Sequence, residues 1–149
     1  MLSADDPQFL EMVNKVELFR GLKTDDVYSI FKKGMTHHAA KGQMIFKKGT
    51  VGNNMFVLLG GKLGVFDGEK QIATLSAGET FGEMSLLCDE PRSATVRALE
   101  DSSLFALDER VFSKLLTKRV AVRMLLNISR NLAGKVSKAN MMIREIEGR

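Results

Sequence analysis

Between Gly34 and Leu107 the chain is cut into apolar runs too short for ordinary helices, with turn residues between them. The runs are Met44 to Phe46, Met55 to Leu59, Leu63 to Phe66, Ile72 to Leu75, Ala94 to Ala98 and Leu104 to Leu107. Lys41-Gly42, Lys48-Gly49, Gly60-Gly61, Asp67-Gly68 and Ala77-Gly78 punctuate them. Short strands at this spacing predict an antiparallel sandwich, barrel or jelly roll. Asp67-Gly68, lying between two apolar runs, is the strongest hairpin signal.

Different patterns flank this stretch. Asp6 before Pro7 gives an N-cap and a first-turn proline, and Phe9, Leu10, Val13 and Val16 come after it at helical spacing. After a break at Arg20-Gly21, Thr24 is expected to cap a second helix carrying Val27, Ile30 and Phe31, with Asp25 and Asp26 at its positive end. Asp108 is a suitable N-cap for a C-terminal helical segment, since neither Gly nor Pro recurs until Gly134. Phe112, Leu115, Leu116, Val120, Leu125, Ile128, Leu132, Val136, Met142, Ile143 and Ile146 fit one or two long helices. Leu125, Leu132, Ala139 and Ile146 recur every seven residues. That is either a seam for a partner or a stripe packing on the sheet.

The expected architecture is α+β in one domain: N-terminal helices over 1–33, a β-rich middle over 34–107 and C-terminal helices over 108–147. A length of 149 residues suits a single core. The last four residues, Ile-Glu-Gly-Arg, spell a protease site used in expression tags and carry no weight for function.

Composition narrows the function classes. No apolar run reaches the roughly 18 residues of a spanning helix, and the N-terminus lacks the basic start and apolar stretch of a secretory signal. With Cys88 as the one cysteine, no intrachain disulfide framework is available, and a cytoplasmic protein is expected. The net charge of +4 comes from scattered lysines and arginines, with one Tyr and no Trp to stack on bases. A modestly basic surface that favours an anionic ligand fits better than a nucleic-acid binder.

The chemistry concentrates in residues 78–97, GETFGEMSLLCDEPRSATVR. Gly82 permits close backbone approach. Glu83 to Leu87 is expected to form a short helix whose first N–H groups face an anion. After a Cys-Asp-Glu-Pro loop, Arg92 leads into a strand over Ser93 to Val96, and its planar fork matches two phosphate oxygens. Glu83 would repel that anion unless it had its own task. Accepting a hydrogen bond from a sugar hydroxyl is one, and a cyclic nucleotide places such a hydroxyl beside its phosphate.

The run Phe81-Gly82-Glu83, then Leu86-Leu87, then Pro91-Arg92-Ser93-Ala94-Thr95-Val96 resembles the phosphate-binding cassette of the cyclic-nucleotide-binding domain family. Leu18 to Leu22, Gly42 to Gly49 and Met55 to Gly61 are similar to that family's earlier segments, in order. The resemblance implies an eight-stranded antiparallel β-roll, N-terminal helices, a short cassette helix and a long C-terminal helix. It also implies cAMP, or alternatively cGMP, as ligand. Glu83 would hold the ribose 2′-hydroxyl and Arg92 the cyclic phosphate. Phe81 and Met84 belong to the cassette, and backbone N–H groups around Gly82, Ser85, Ser93 and Ala94 would complete the cradle. Ser93, where some cGMP-preferring members carry Thr, favours cAMP. Ser137 would supply a base-contacting hydroxyl from the C-terminal helix.

A handful of polar contacts falls short of a whole site. A charge-assisted hydrogen bond contributes about 1.5–3 kcal/mol, and micromolar affinity needs about 8. A lid over the base is therefore expected from the helix around Gly134, with Leu132, Val136, Met141 and Met142 available. Its closure would signal to an effector protein, a tethered domain or a second copy of the chain, as in a regulatory domain of a larger channel, transporter or kinase system. No helix-turn-helix comes after the long helix, so direct DNA binding by this chain alone is not expected, and neither is membrane contact. His37-His38 would point to opposite faces of a strand, so no metal site or cofactor is expected. No nucleophile, base and oxyanion set is discernible, which makes the chain a binder and not an enzyme. Cys88 reads as a small hydrophobe. The alternative is a ligand-independent interaction module on the same fold.

Overall fold

A computed structural model of the chain describes residues 5–110 and 118–148. Phe112, Leu115 and Leu116 lie outside the described residues. Helix α1 (Pro7–Lys15) begins as its sequence predicts, with the Gln8 N–H donating to Asp6 Oδ1 at 2.9 Å and Pro7 in the first turn. A 3₁₀ turn (Glu17–Phe19) leads to α2 (Thr24–Lys33). Thr24 does not cap this helix. It is the first helical residue, and Lys23 at the cap makes no side-chain bond. Asp25 and Asp26 in the first turn, with Lys32 and Lys33 in the last, complement the helix dipole instead.

Eight strands come next: β1 (Met35–Ala39), β2 (Met44–Phe46), β3 (Asn54–Gly60), β4 (Lys62–Asp67), β5 (Lys70–Ser76), β6 (Thr80–Phe81), β7 (Thr95–Ala98) and β8 (Ser102–Asp108). They form two antiparallel sheets, ordered β1-β8-β3-β6 and β2-β7-β4-β5. The six apolar runs all become strands. β1 shows no such run because four of its five residues are exposed, and β6 has only two residues. The hairpin turn sits one residue later than Asp67-Gly68: Asp67 still pairs with Lys70, and Gly68 (φ 62) opens the loop. β7 starts at Thr95 and not at Ser93, because Arg92 spends its backbone elsewhere. Its N–H donates to the Thr50 carbonyl, and its carbonyl accepts from Gly49.

The first sheet is covered on both faces, so β3 and β8 read as apolar clusters and not as alternating strands. Met55 and Val57 of β3, with Phe105 and Leu107 of β8, pack against Phe9, Phe19, Val27 and Ile30 of the helical layer. Their neighbours Phe56, Leu58, Leu104 and Ala106 face the roll interior with Leu63, Phe81, Val96 and Ala98. Phe31 stacks on Phe105 with ring centroids 4.6 Å apart, anchoring α2 to the sheet.

A helical turn opens at Glu109, directly after Asp108, and helix α4 spans Lys118–Glu147, uninterrupted at Gly134. Val120, Met124 and Ile128 bury its inner half in the helical core. Asn127 completes that face: its Nδ2 donates to the carbonyls of Leu18 (2.8 Å) and Arg20 (2.9 Å), tying α4 to the 3₁₀ turn. Beyond Leu132 every residue through Gly148 is exposed. Among the described residues, no helix is long and apolar enough to cross a membrane.

Asn127→Ala removes both bonds and leaves two carbonyls without their donor. It should cost about 2 kcal/mol of unfolding free energy, read as a lower urea midpoint at unchanged slope.

Candidate functional site

The cassette is built by a backbone reversal. β6 ends at Phe81, Gly82 takes a left-handed conformation (φ 74, ψ 10), and α3 runs over Glu83–Cys88. A Cβ on Gly82 would lie 2.6 Å from Arg92 Nη1, so this position requires glycine for both conformation and space. No side chain caps α3, and its first-turn N–H groups, including those of Glu83 and Ser85, lack intrahelical acceptors. Asp89 ends the helix in a left-handed conformation (φ 52), which Asp tolerates better than most residues. Ser85 is buried, and its hydroxyl donates to the Glu90 carbonyl at 3.0 Å, pinning the return loop.

That loop delivers Arg92 into the interior, where the residue is 6% exposed. Nη1 donates to the Gly82 carbonyl (3.0 Å) and Nη2 to the Asn54 carbonyl (2.7 Å). The guanidinium carbon lies 4.3 Å from the Phe46 ring centroid and 5.7 Å from that of Phe56, a cation–π arrangement. Gly52 forms the opposite wall; a Cβ there would meet Nη2 at 2.7 Å. Burial holds the guanidinium below its usual pKa. Among the described residues Arg92 has no carboxylate partner and its Nε no acceptor. Two of its five N–H groups are engaged, which leaves donors for a ligand.

Glu83, next to Gly82, is 3% exposed. Lys135 of α4 donates to its Oε1 at 2.6 Å and to the Thr80 carbonyl at 3.4 Å. Neither Lys135 nor Asn54 stands out in the sequence. α4 has no motif that fixes which of its residues faces the cassette, and Asn54 acts through its backbone carbonyl.

The structure thus brings Gly82, Glu83, Ser85 and Arg92 together, while the other expected site residues divide. Phe81 is a core residue, stacked on Phe56 at 5.3 Å. Met84 and Ser93 are exposed, and Ala94 is buried. Ser137 is not at the site in this arrangement. It is exposed on α4, about 200° around the helix from Lys135, which faces the roll. Of the expected lid residues, Leu132 packs on the helical core, whereas Val136, Met141 and Met142 are exposed. His37 and His38 lie on β1, and His38 Nδ1 is 3.3 Å from Ser103 Oγ. Among the described residues no group of three metal-ligating side chains converges. Cys88 is exposed at the end of α3, not the packed hydrophobe expected of it.

A family model of the cyclic nucleotide-binding domain matches residues 36–119. The chain is similar to the human cGMP-dependent protein kinase 2, with 29% identity over 121 residues, 81% of this chain and 16% of that protein. It is similar to the type II regulatory subunit of cAMP-dependent protein kinase from Drosophila melanogaster, with 32% identity over 111 residues, 74% of this chain and 29% of that subunit. Among solved structures, the catabolite activator protein of Thermus thermophilus superposes with a TM-score of 0.78 at 29% identity, covering 88% of this chain and 63% of that one. The chain therefore spans less than a third of the curated relatives it matches.

Gly82→Ala forces a Cβ into a left-handed residue and against Arg92. It should destabilise the protein by about 1–2 kcal/mol or more in urea unfolding, whatever ligand is present.

Proposed function

This chain belongs to the cyclic nucleotide-binding domain family, and on that premise we propose that it is a regulatory sensor that binds cAMP in preference to cGMP and signals through α4. The observation that carries the reading is Arg92, a buried guanidinium without a carboxylate partner among the described residues. Holding a cation out of water is costly unless an anion compensates it, and two carbonyls supply dipoles but no charge. A cyclic phosphate supplies one negative charge and acceptors for the remaining N–H groups of Arg92. The first-turn N–H groups of α3 add donors beside it.

Glu83 is the complementary half of the site. An ionised carboxylate only accepts, so a hydroxyl suits it where a second phosphate oxygen would not. Arg92 donates to the carbonyl of Gly82, the residue next to Glu83, so the two are adjacent, as the phosphate and 2′-hydroxyl of a cyclic nucleotide are. Ser93 after the arginine supports cAMP over cGMP. With acceptor and donors, and no nucleophile and base in contact among the described residues, the site fits binding better than turnover. A cytoplasmic, ligand-gated regulator is the corresponding role.

The output would pass through α4, along which exposed apolar side chains recur. Val122, Leu125, Ser129, Leu132, Val136, Ala139, Ile143 and Ile146 succeed one another at alternating intervals of three and four residues. Val136 is 59% exposed and Ile146 71%. Val122, Ser129, Val136 and Ile143 fall on one heptad position and Leu125, Leu132, Ala139 and Ile146 on the other, a mainly apolar repeat that suits a helix–helix seam. A second copy of the chain therefore fits this seam, with an effector protein or tethered domain as the alternative reader. Nucleotide binding that shifts α4 would carry a coupling of about 1–3 kcal/mol.

Titration calorimetry with cAMP and cGMP is the primary test, with tighter cAMP binding expected. If neither binds, the ligand-independent interaction module becomes the better reading. Arg92→Leu should weaken cAMP binding at least tenfold, about 1.4 kcal/mol, with far-UV circular dichroism unchanged; equal affinity would remove the phosphate role. Sedimentation should show concentration-dependent dimers that Val136→Lys with Ile143→Lys abolishes. A monomeric wild-type chain at high concentration would exclude the seam as a self-contact.

A further inference from the structure

The positive charge of the chain is unevenly spread. Of the 22 Lys and Arg, nine fall between residues 110 and 144, where none of the 18 Asp and Glu does. On α4 this charge has a direction. Arg119, Arg123, Leu126 and Arg130 succeed one another at intervals of four, three and four residues and so share one stripe of the helix. The first three face the turn that leads from the 3₁₀ turn into α2. There a groove of about 560 Å³ is floored by Leu22, Val122 and Leu126 and rimmed by Lys23, Arg119 and Arg123. Gly21, left-handed at φ 79, lets the turn pass close beneath Arg123; a Cβ on it would meet the arginine Nε at 3.3 Å. The floor is open, with Val122 58% and Leu126 45% exposed. Among the described residues Asp26 is the one carboxylate lining the groove, and Arg119 reaches it at 3.7 Å with 71% of its own side chain exposed. So long and solvated a pair leaves the rim positive. Lys23 and Arg123 form no ion pair among the described residues.

The geometry points to this groove as a docking site for an acidic protein segment, one that seats an aliphatic side chain on the floor and sets carboxylates against the rim. Two properties select that occupant. An exposed apolar floor gains by being covered, but alone it would accept any apolar segment. The rim turns cationic segments away and receives carboxylates, which the two guanidiniums can hold bidentately. From Arg119 to Arg130 the stripe runs about 16 Å at 1.5 Å per residue, the length of three helical turns of a partner. Other polyanions match the surface less well. A bilayer surface is flat and would meet the rim while leaving the concave floor uncovered. No aromatic side chain lines the groove to stack on bases. The segment would engage a different side of α4 from the heptad seam, since Val122 is the one seam residue that lines the groove. None of residues 78–97 lines it, so the site is separate from the cassette. The surrounding positive field would also speed the encounter with an acidic partner.

The test uses the full chain and a fluorescein-labelled peptide of three Glu-Glu-Leu-Glu repeats, followed by anisotropy. The wild-type chain should bind it, with affinity falling as salt is added, and should not bind the matching Lys-Lys-Leu-Lys peptide. Arg119→Glu with Arg123→Glu should weaken binding at least about tenfold, and Arg119→Gln with Arg123→Gln, which removes charge without reversing it, at least about threefold. Leu126→Asp should weaken it at least about fivefold, and the half-exposed position lets the fold tolerate the change. Far-UV circular dichroism and the urea midpoint check that each variant is folded. Lys41→Glu with Lys70→Glu makes the same charge change on exposed lysines of the roll and should leave binding unaltered. An equal loss in that control would reduce the effect to overall charge and overturn the groove. So would a wild-type chain that does not bind the peptide, or full binding by folded Leu126→Asp. Phosphatidylserine vesicles and duplex DNA serve as competing probes. Tighter binding of either, lost in the same arginine variants, would assign the stripe to a membrane or a nucleic acid and overturn the protein partner.

Discussion

A buried guanidinium with no carboxylate partner among the described residues is the constraint around which this molecule is arranged. Arg92 can occupy the interior only if its charge is met by oriented dipoles and aromatic faces, and several otherwise unrelated features supply them. The β2–β3 connection turns inward so that the Asn54 carbonyl meets Nη2. Phe46 offers its ring face, and Gly52 and Gly82 leave the space that a Cβ would fill. The Thr50 carbonyl and Gly49 N–H take the arginine's own backbone, which delays the start of β7 to Thr95. The cassette is therefore fastened at one residue to the roll interior, the neighbouring loop and the turn preceding α3. An anion bound there would act on all three.

The two halves of α4 stand in different energetic regimes. Its inner half buries Val120, Met124 and Ile128 and uses Asn127 to bond two carbonyls of the 3₁₀ turn. These contacts belong to the core and persist as long as the fold does. The outer half has an ion pair at Lys135 and then exposed side chains. The helix is thus anchored firmly at one end and lightly at the other. The same division exposes the heptad seam.

Local residue chemistry made much of the fold legible. Glycine pairs located the turns, the Asp6-Pro7 start fixed α1, and Gly82 with Glu83 after it marked the onset of α3. Where local signals competed or were missing, the reading slipped. Thr24 looks like a cap, yet the helix starts on it, with Lys23 at the cap position. β1 has no apolar face to betray it, and β6 is too short to show a period. Phe81 belongs to the cassette run, and its ring packs in the core on Phe56, the residue it pairs with across the strands.

By itself the sequence determined the strand-rich centre, the helical flanks and the placing of a carboxylate, Glu83, and a forked cation, Arg92, within one short segment. These depend on residue type and short-range spacing, which act through backbone conformation within a few residues. The tertiary structure alone decided what each of those groups meets. It put the Asn54 carbonyl against Arg92 across 38 positions of chain and Lys135 against Glu83 across 52. It also turned Ser137 away from the cassette. A helix without punctuation has no local signal for its rotation, so its facing residues are set by how Met124, Asn127 and Ile128 pack at the other end.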